Sequence, residues 1–288
     1  MLCIGASHWD VIGRTGEDLS VGDDVAGRIE HRPGGVASNV ALGLARHGCP
    51  VGLCSAVGGD VAGTALIRNL EAVGVDCTNV LQIEDRTTDH YIAIEDKRGD
   101  LFAAVADAAV LEAASDAVTR KAKRALGSCQ SIFFEANLPT PALQQIASAS
   151  ISAGTRIVAN PVSPAKASRL AFLLTGAFAP TLVTNLAEAN VLLAGAFEST
   201  LDAAKALQDR TSGTALVTDG ARPAALVTAD HAVGATPPRL PGNASVTGAG
   251  DALLSAFLAM SDQLQSPDQA LQHALHAAGE HMKENIVI

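Results

Sequence analysis

Short apolar runs alternate along the chain with longer Ala- and Leu-rich stretches whose apolar positions recur at helical spacing. The runs MLCIGA, VGLCSAVG, SIFFEAN, RIVANPVS, TLVTN and TALVTDG read as strands that give way to Gly, Asn, Asp or Ser. Helices are expected over Ala37–His47, Thr64–Val73, Ser115–Leu126, Thr140–Ala153, Glu188–Ala194, Leu201–Arg210, Gly250–Met260 and Ser266–Glu280. Several open on a capping residue or a Pro, as Thr140-Pro141 does. This alternation predicts an α/β protein with a mostly parallel sheet flanked by helices, and open sheets of that kind place ligands at strand C-termini. Two segments break the rhythm, 11–33 and 86–105. The second reads TTDHYIAI, EDKRGD and LFAAV, two strands around a Gly-containing turn, so an antiparallel flap on the main sheet is expected. TPPRLPGN at 236–243 is a Pro-rich connection.

With 288 residues, 48% hydrophobic and 17% charged, the chain can bury a large core without a disulfide or metal staple. Its five cysteines form no C-x-x-C pair and have no histidines at metal-ligand spacing, which predicts reduced thiols and no cysteine-built zinc site. No basic leader followed by an apolar stretch opens the sequence, and no run approaches a membrane span, so a cytoplasmic protein is expected. The net charge of −10 and pI near 5.2 argue against nucleic-acid or anionic-membrane partners. At 3% aromatics there is also little to stack on bases. A small molecule is the expected partner.

The sharpest chemistry lies in Ser245-Val-Thr-Gly-Ala-Gly-Asp251-Ala-Leu-Leu-Ser-Ala-Phe257, a small-residue loop leading into an apolar helix. Backbone amides of Gly248, Ala249 and Gly250 can converge on an anion at the helix N-terminus. A carboxylate there would repel a phosphate that was merely bound. It makes sense if Asp251 accepts a proton from a hydroxyl while the amides hold charge on a transferred phosphoryl group. Taken alone, the string fits equally a helix start whose Asp complements the dipole. Upstream, Pro33-Gly-Gly-Val-Ala-Ser-Asn39 puts Gly34, Gly35 and Asn39 at the mouth of a helix, followed by VGGDVAG. A close-approaching polyol with Asn39 as donor and acceptor is one reading, and a tight turn with a cap is the other.

Together these two regions resemble the signatures of the ribokinase-like, or PfkB, carbohydrate kinase family. Thr184-Asn185-Leu-Ala-Glu188 is similar to the family's Asn-x-x-Glu motif, and Val217-Thr-Asp-Gly220 to its nucleotide loop. The four motifs cover nearly the whole chain, which implies one ribokinase-like domain over 1–288, a three-layer α/β/α sandwich with a small β lid. The resemblance implies transfer of the ATP γ-phosphoryl group to a sugar hydroxyl with Mg²⁺. Asp251 is then the base and Gly248 to Gly250 the anion hole. Asp10, Gly34, Gly35 and Asn39 bind the sugar; Asn185 and Glu188 organise Mg²⁺; and Asn185, Thr218, Gly220, Gly248 and Gly250 border the nucleotide. GASHWDVIG, the lid passage, FEANLPTPAL, ANPVSPAKASRL and TLVTNLAEANVLLAG resemble the family's pseudouridine kinase branch. That implies the 5′-hydroxyl of a nucleoside as acceptor, with Thr88 and Asn137 as substrate contacts. Another sugar or nucleoside, such as ribose, fructose or adenosine, stays open.

Three positions depart from the family pattern. Asn160 stands where an Asp is usual, and Pro223 where a second Gly follows the nucleotide loop. Ala37 and Ser38 bring no cation to the substrate helix, leaving Lys166 or Arg169 to meet the phosphates. Activation by a monovalent cation such as K⁺, common in the family, has no counterpart legible in these residues. A catalytically weak nucleoside or sugar sensor is one rival, though a pure binder needs no carboxylate beside an anion hole. A dinucleotide-dependent oxidoreductase would need G-x-G-x-x-G after the first strand, where GASHWDVIG stands. A P-loop kinase would need G-x-x-x-x-G-K-[ST], which is missing. His8, Trp9, His47, His273, His276 and His281 read as surface or packing residues. Apolar Tyr91, Ile92 and Ile94 in the flap suggest a homodimer that pairs two lids.

Overall fold

The structure, a computed structural model, describes residues 1–98, 101–239, 248–260 and 266–284. Its elements begin β1 (Leu2–Ile4), β2 (His8–Thr15), β3 (Gly27–Gly34), α1 (Val36–Arg46), β4 (Gly52–Gly58), α2 (Val61–Ala72), β5 (Asp76–Ile83), β6 (His90–Glu95) and β7 (Leu101–Ala106). Next come α3 (Ala109–Ala113), α4 (Ser115–Ala125), β8 (Ser131–Glu135), α5 (Thr140–Ser152), β9 (Arg156–Asn160), α6 (Pro164–Ala167) and β10 (Thr181–Asn185). The chain continues through α7 (Leu186–Leu193), α8 (Thr200–Thr211), β11 (Thr214–Asp219), β12 (Arg222–Val227), β13 (Ala232–Ala235), α9 (Ala249–Met260) and α10 (Pro267–Glu284).

Nine strands form the main sheet in the order β13-β12-β11-β10-β9-β8-β1-β4-β5. The seven from β11 to β5 are parallel, and the β12–β13 hairpin extends one edge antiparallel. The inner strands of this sheet are largely apolar because both of their faces are covered, whereas edge strand β5 carries Asp, Thr, Asn and Gln. Period-2 alternation decides which core each side chain joins. Ile132 and Phe134 of β8 face the side holding α3, α4, α5, α7 and α8, whereas Phe133 faces α1, α2, α9 and α10. Three layers result, with two hydrophobic cores separated by the sheet.

Strand order reverses at β1. The chain moves outward from β1 to β4 and β5, then returns to place β8 on the other side of β1. A crevice therefore opens at the carboxyl ends of β1 and β8, the switch point where such sheets bind ligands. Four further strands, in the order β3-β2-β6-β7, make a second sheet over that end. Segments 11–33 and 86–105 supply most of it, but pairing begins at His8 and runs to Gly34, so Asp10 lies inside β2. β2 and β6 pair parallel within this lid, while its outer pairs are antiparallel. Gly99 of the expected lid turn and 240–243 of the Pro-rich connection lie outside the described residues.

Candidate active site

Two sequence motifs 212 positions apart meet at the crevice, where Asn39 Nδ2 donates to Asp251 Oδ2 at 2.8 Å. Helix packing explains the meeting. Asn39 and Gly43 are one turn apart on α1, as Asp251 and Ser255 are on α9. A Cβ at Gly43 would fall within Ser255, so the bare glycine lets the two helices close one turn below the Asn39–Asp251 bond. Gly35 begins α1 at φ 92°, and a Cβ there would strike the Ala6 carbonyl oxygen. That carbonyl accepts from Ser38 N at 3.3 Å, tying the helix start to the end of β1. A Cβ at Gly34 would overlap the Asp10 carboxylate, which lies against this turn.

Asp251 is half-buried, and burial pushes its carboxyl up to about 7. The Asn39 hydrogen bond opposes the rise, and the carboxylates of Glu135, Asp10 and Glu188 add to it. Beside it, Gly248 has φ 80° and packs under the His281 ring of α10, and Ala249 and Gly250 open α9. Residues 245–247 of the same motif lie outside the described residues. Asp10 is buried, with Arg32 Nε 3.7 Å from Oδ2. His8 Nδ1 is 3.2 Å from Oδ1 but makes no hydrogen bond.

Along the carboxyl edge, Thr218 pairs with Asn185, and Asn160 pairs with Glu135, giving a polar row across four neighbouring strands. Asn185 and Glu188 form a reciprocal cap on α7: Asn185 Oδ1 accepts from Glu188 N and Glu188 Oε2 from Asn185 N, both at 2.9 Å. Burial raises the Glu188 pKa against these bonds. The neighbouring Thr184 hydroxyl is buried without a partner. Asn160 donates to the Val183 carbonyl at 2.9 Å and accepts from Val162 N at 2.7 Å. An ionised Asp could not make the first bond. Gly220 turns the β11–β12 hairpin at φ 54°. Pro223 sits where that pairing shifts register, a position that needs no ladder donor, so the strand continues past it.

Thr88 and Asn137 are occupied by the protein itself. The Thr88 hydroxyl donates to Asp60 Oδ1 at 2.5 Å and accepts from Gly58 N at 3.1 Å, fastening the VGGDVAG loop beneath the lid at 1% exposure. Asn137 Oδ1 accepts from Lys166 Nζ. Arg169 Nη1 donates to the carbonyls of Ala136 and Asn137, each at 3.0 Å. Both candidate cations are therefore engaged in holding the β8–α5 loop. The residue sequence reasoning missed is Glu135. It reads as the last position of an apolar strand, and the signal that could have found it is a lone carboxylate closing a fully buried run at the switch point.

Residues 1–284 match the pfkB family carbohydrate kinase profile. The chain is 34% identical to the pseudouridine kinase of Escherichia coli (strain K12) over 107 residues, 37% of this chain and 34% of that protein. It is 27% identical to the guanosine-inosine kinase of Exiguobacterium acetylicum over 146 residues, 50% of this chain and 47% of that one. These matches thus span under half the length of either relative. The fold is shared with a carbohydrate kinase from Agrobacterium tumefaciens, with TM-score 0.82, 25% identity, and coverage of 99% of this chain and 96% of the other. It is also that of Arabidopsis thaliana ribokinase complexed with ribose and ATP, with TM-score 0.77, 18% identity, and coverage of 100% and 98%. With sequence profile, sheet order and lid in agreement, the chain belongs to the pfkB family of carbohydrate kinases.

Proposed function

We propose that the protein is an ATP-dependent kinase of a sugar or nucleoside hydroxyl, with Asp251 as the base. The observation that carries this reading is the Asn39–Asp251 bond. It holds a carboxylate whose pKa is raised to about 7 beside three small residues at a helix N-terminus. A base of that pKa is half ionised at neutral pH and suited to taking a proton in the transition state. In the reaction Asp251 receives the acceptor O–H proton, the acceptor oxygen bonds to the γ-phosphorus, and the bond to the β,γ-bridging oxygen breaks with ADP taking the electron pair. The Gly248 to Gly250 amides and the α9 dipole hold the charge that develops. Asp10, Gly34, Gly35 and Asn39 form the acceptor side, and Thr218 and Gly220 the nucleotide side.

When bound with the nucleotide, Mg²⁺ would neutralise phosphate charge. The unpartnered Thr184 hydroxyl beside Asn185 and the Glu188 carboxylate supply oxygen donors that would hold its waters.

The acceptor we infer is the 5′-hydroxyl of pseudouridine, a reading supported by the likeness to the E. coli pseudouridine kinase and by the FEANLP and ANPVSP segments. The test is ATP-dependent phosphorylation of pseudouridine, uridine, adenosine, guanosine, ribose and fructose with Mg²⁺, in K⁺ and in Na⁺ buffer. Preference for pseudouridine supports the branch, and turnover of another acceptor keeps the kinase and discards the branch. Binding without turnover favours the sensor.

Five free cysteines and dependence on ATP fit a cytoplasmic enzyme. We infer a homodimer through the lids, a reading supported by the outer lid face. There Ile29 of β3, Ile92 and Ile94 of β6 and Val105 of β7 are 67%, 48%, 43% and 70% exposed on one face of the lid sheet. A monomeric mass by light scattering at working concentration rules it out.

A further inference from the structure

Glu135 is the last residue of β8 and is fully buried. Its two oxygens face opposite walls of the crevice: Oε1 accepts from Ala6 N and Oε2 from Asn137 N, both at 2.5 Å. The Asn137 side chain lies beside the same carboxylate and holds its pKa down, while its Oδ1 takes the Lys166 ammonium. On the other wall, the Ala6 carbonyl receives Ser38 N at the start of α1, one residue before Asn39. A Cβ at Gly5 would collide with Glu135 Oε1, so β1 leaves room at that point for the carboxylate. A buried carboxylate is costly without partners, and this one is satisfied by amides from both walls and balanced by one lysine.

We propose that Glu135 is a positioning residue for phosphoryl transfer, fixing the α1 start that holds Asp251 against the β8–α5 loop across the switch-point crevice. It touches no reacting atom and works through Ala6, Asn39 and Asn137. The inference rests on the reading of Asp251 as base. Burial raises the Glu135 pKa, and the amide bonds and Lys166 oppose the rise. Among the described residues, the carboxylates of Glu135, Asp10 and Glu188 act on Asp251, and each raises its pKa, while the His281 ring packs against neighbouring Gly248.

The test compares Glu135→Gln and Glu135→Asp with wild type and Asp251→Asn in kcat and KM for acceptor and ATP between pH 5 and 9. Gln keeps the volume but sets an NH₂ against one amide donor, and Asp keeps the charge but is too short to span both walls. Loss of a hydrogen bond to a charged group predicts a fall of roughly 10- to 100-fold in acceptor kcat/KM for both variants, with ATP KM little changed. Removing the charge in Glu135→Gln also moves the acid limb of the profile to lower pH, because a neighbouring negative charge no longer opposes ionisation of Asp251. Glu135→Asp leaves that limb in place. Wild-type kcat/KM in either variant, or an equal fall without the limb shift in Gln, overturns the proposal. If Glu135→Gln does not fold, the Asp variant decides. Wild-type activity in Asp251→Asn instead refutes the base assignment on which the proposal rests.

Discussion

Replacing Asn39 by Ala removes the single side-chain hydrogen bond that lowers the Asp251 pKa while leaving the helix and its packing intact. A hydrogen bond to a charged group is worth about 1.5–3 kcal/mol, which at about 1.36 kcal/mol per unit raises the carboxyl by roughly one to two units. From a starting value of about 7, half of Asp251 is ionised at pH 7. After the change about 1–10% is ionised. Acceptor kcat/KM should therefore fall roughly 5- to 25-fold further at pH 7 than near pH 9, where both proteins are at least about half ionised and what remains is the acceptor contact of Asn39. The assay is initial rate against acceptor concentration from pH 5 to 9, with ATP saturating. A loss equal at every pH would mean that Asn39 serves substrate binding alone, and that the bond to Asp251 does not tune the base.

Gly43→Ala should force α1 from α9, costing about 1–3 kcal/mol in denaturant unfolding and lowering kcat, because its Cβ has nowhere to go but Ser255. Adding Ser255→Gly should restore both, and failure of that rescue would detach the helix contact from catalysis. Asp251→Asn should alter stability in a pH-dependent way. Between about pH 4 and pH 7 the folded protein keeps a proton the unfolded chain releases, so stability from this group is full below the ordinary carboxylate range and lost as pH rises through about 7. The variant should match wild type in Tm near pH 4.5 and exceed it by several degrees at pH 8, since 1 kcal/mol moves Tm by about 2–4 °C in a large domain. An equal difference at both pH values would contradict the raised carboxyl.

Much of the architecture is legible in the sequence because both-side burial makes the strands of a parallel sheet continuous apolar runs. SIFFE and TLVTN are read within a residue or two of their ends. β5, Asp76–Ile83, was not, since an edge strand carrying Asp, Thr, Asn and Gln lacks that signal. The β12–β13 hairpin was hidden by Arg-Pro at its start, which the bulge accommodates. At the site, Asp251 and Asn39 stand out because small residues announce helix mouths. That they bond each other depends on Gly43 meeting Ser255, which no local pattern encodes. Thr88 and Asn137 were legible as polar loop residues, but the Asp60 and Lys166 partners that occupy them are far away in sequence. Glu135 was silent because its partners are backbone amides, which carry no residue identity.

The central claim is that Asp251 removes the proton from the acceptor hydroxyl, and the most direct test is Asp251→Asn assayed with saturating ATP, Mg²⁺ and the preferred acceptor. A kcat lower by roughly 10²- to 10⁴-fold, with ATP affinity by calorimetry nearly unchanged, is the predicted result, because proton transfer is lost and the binding amides remain. A kcat near wild type would contradict the account.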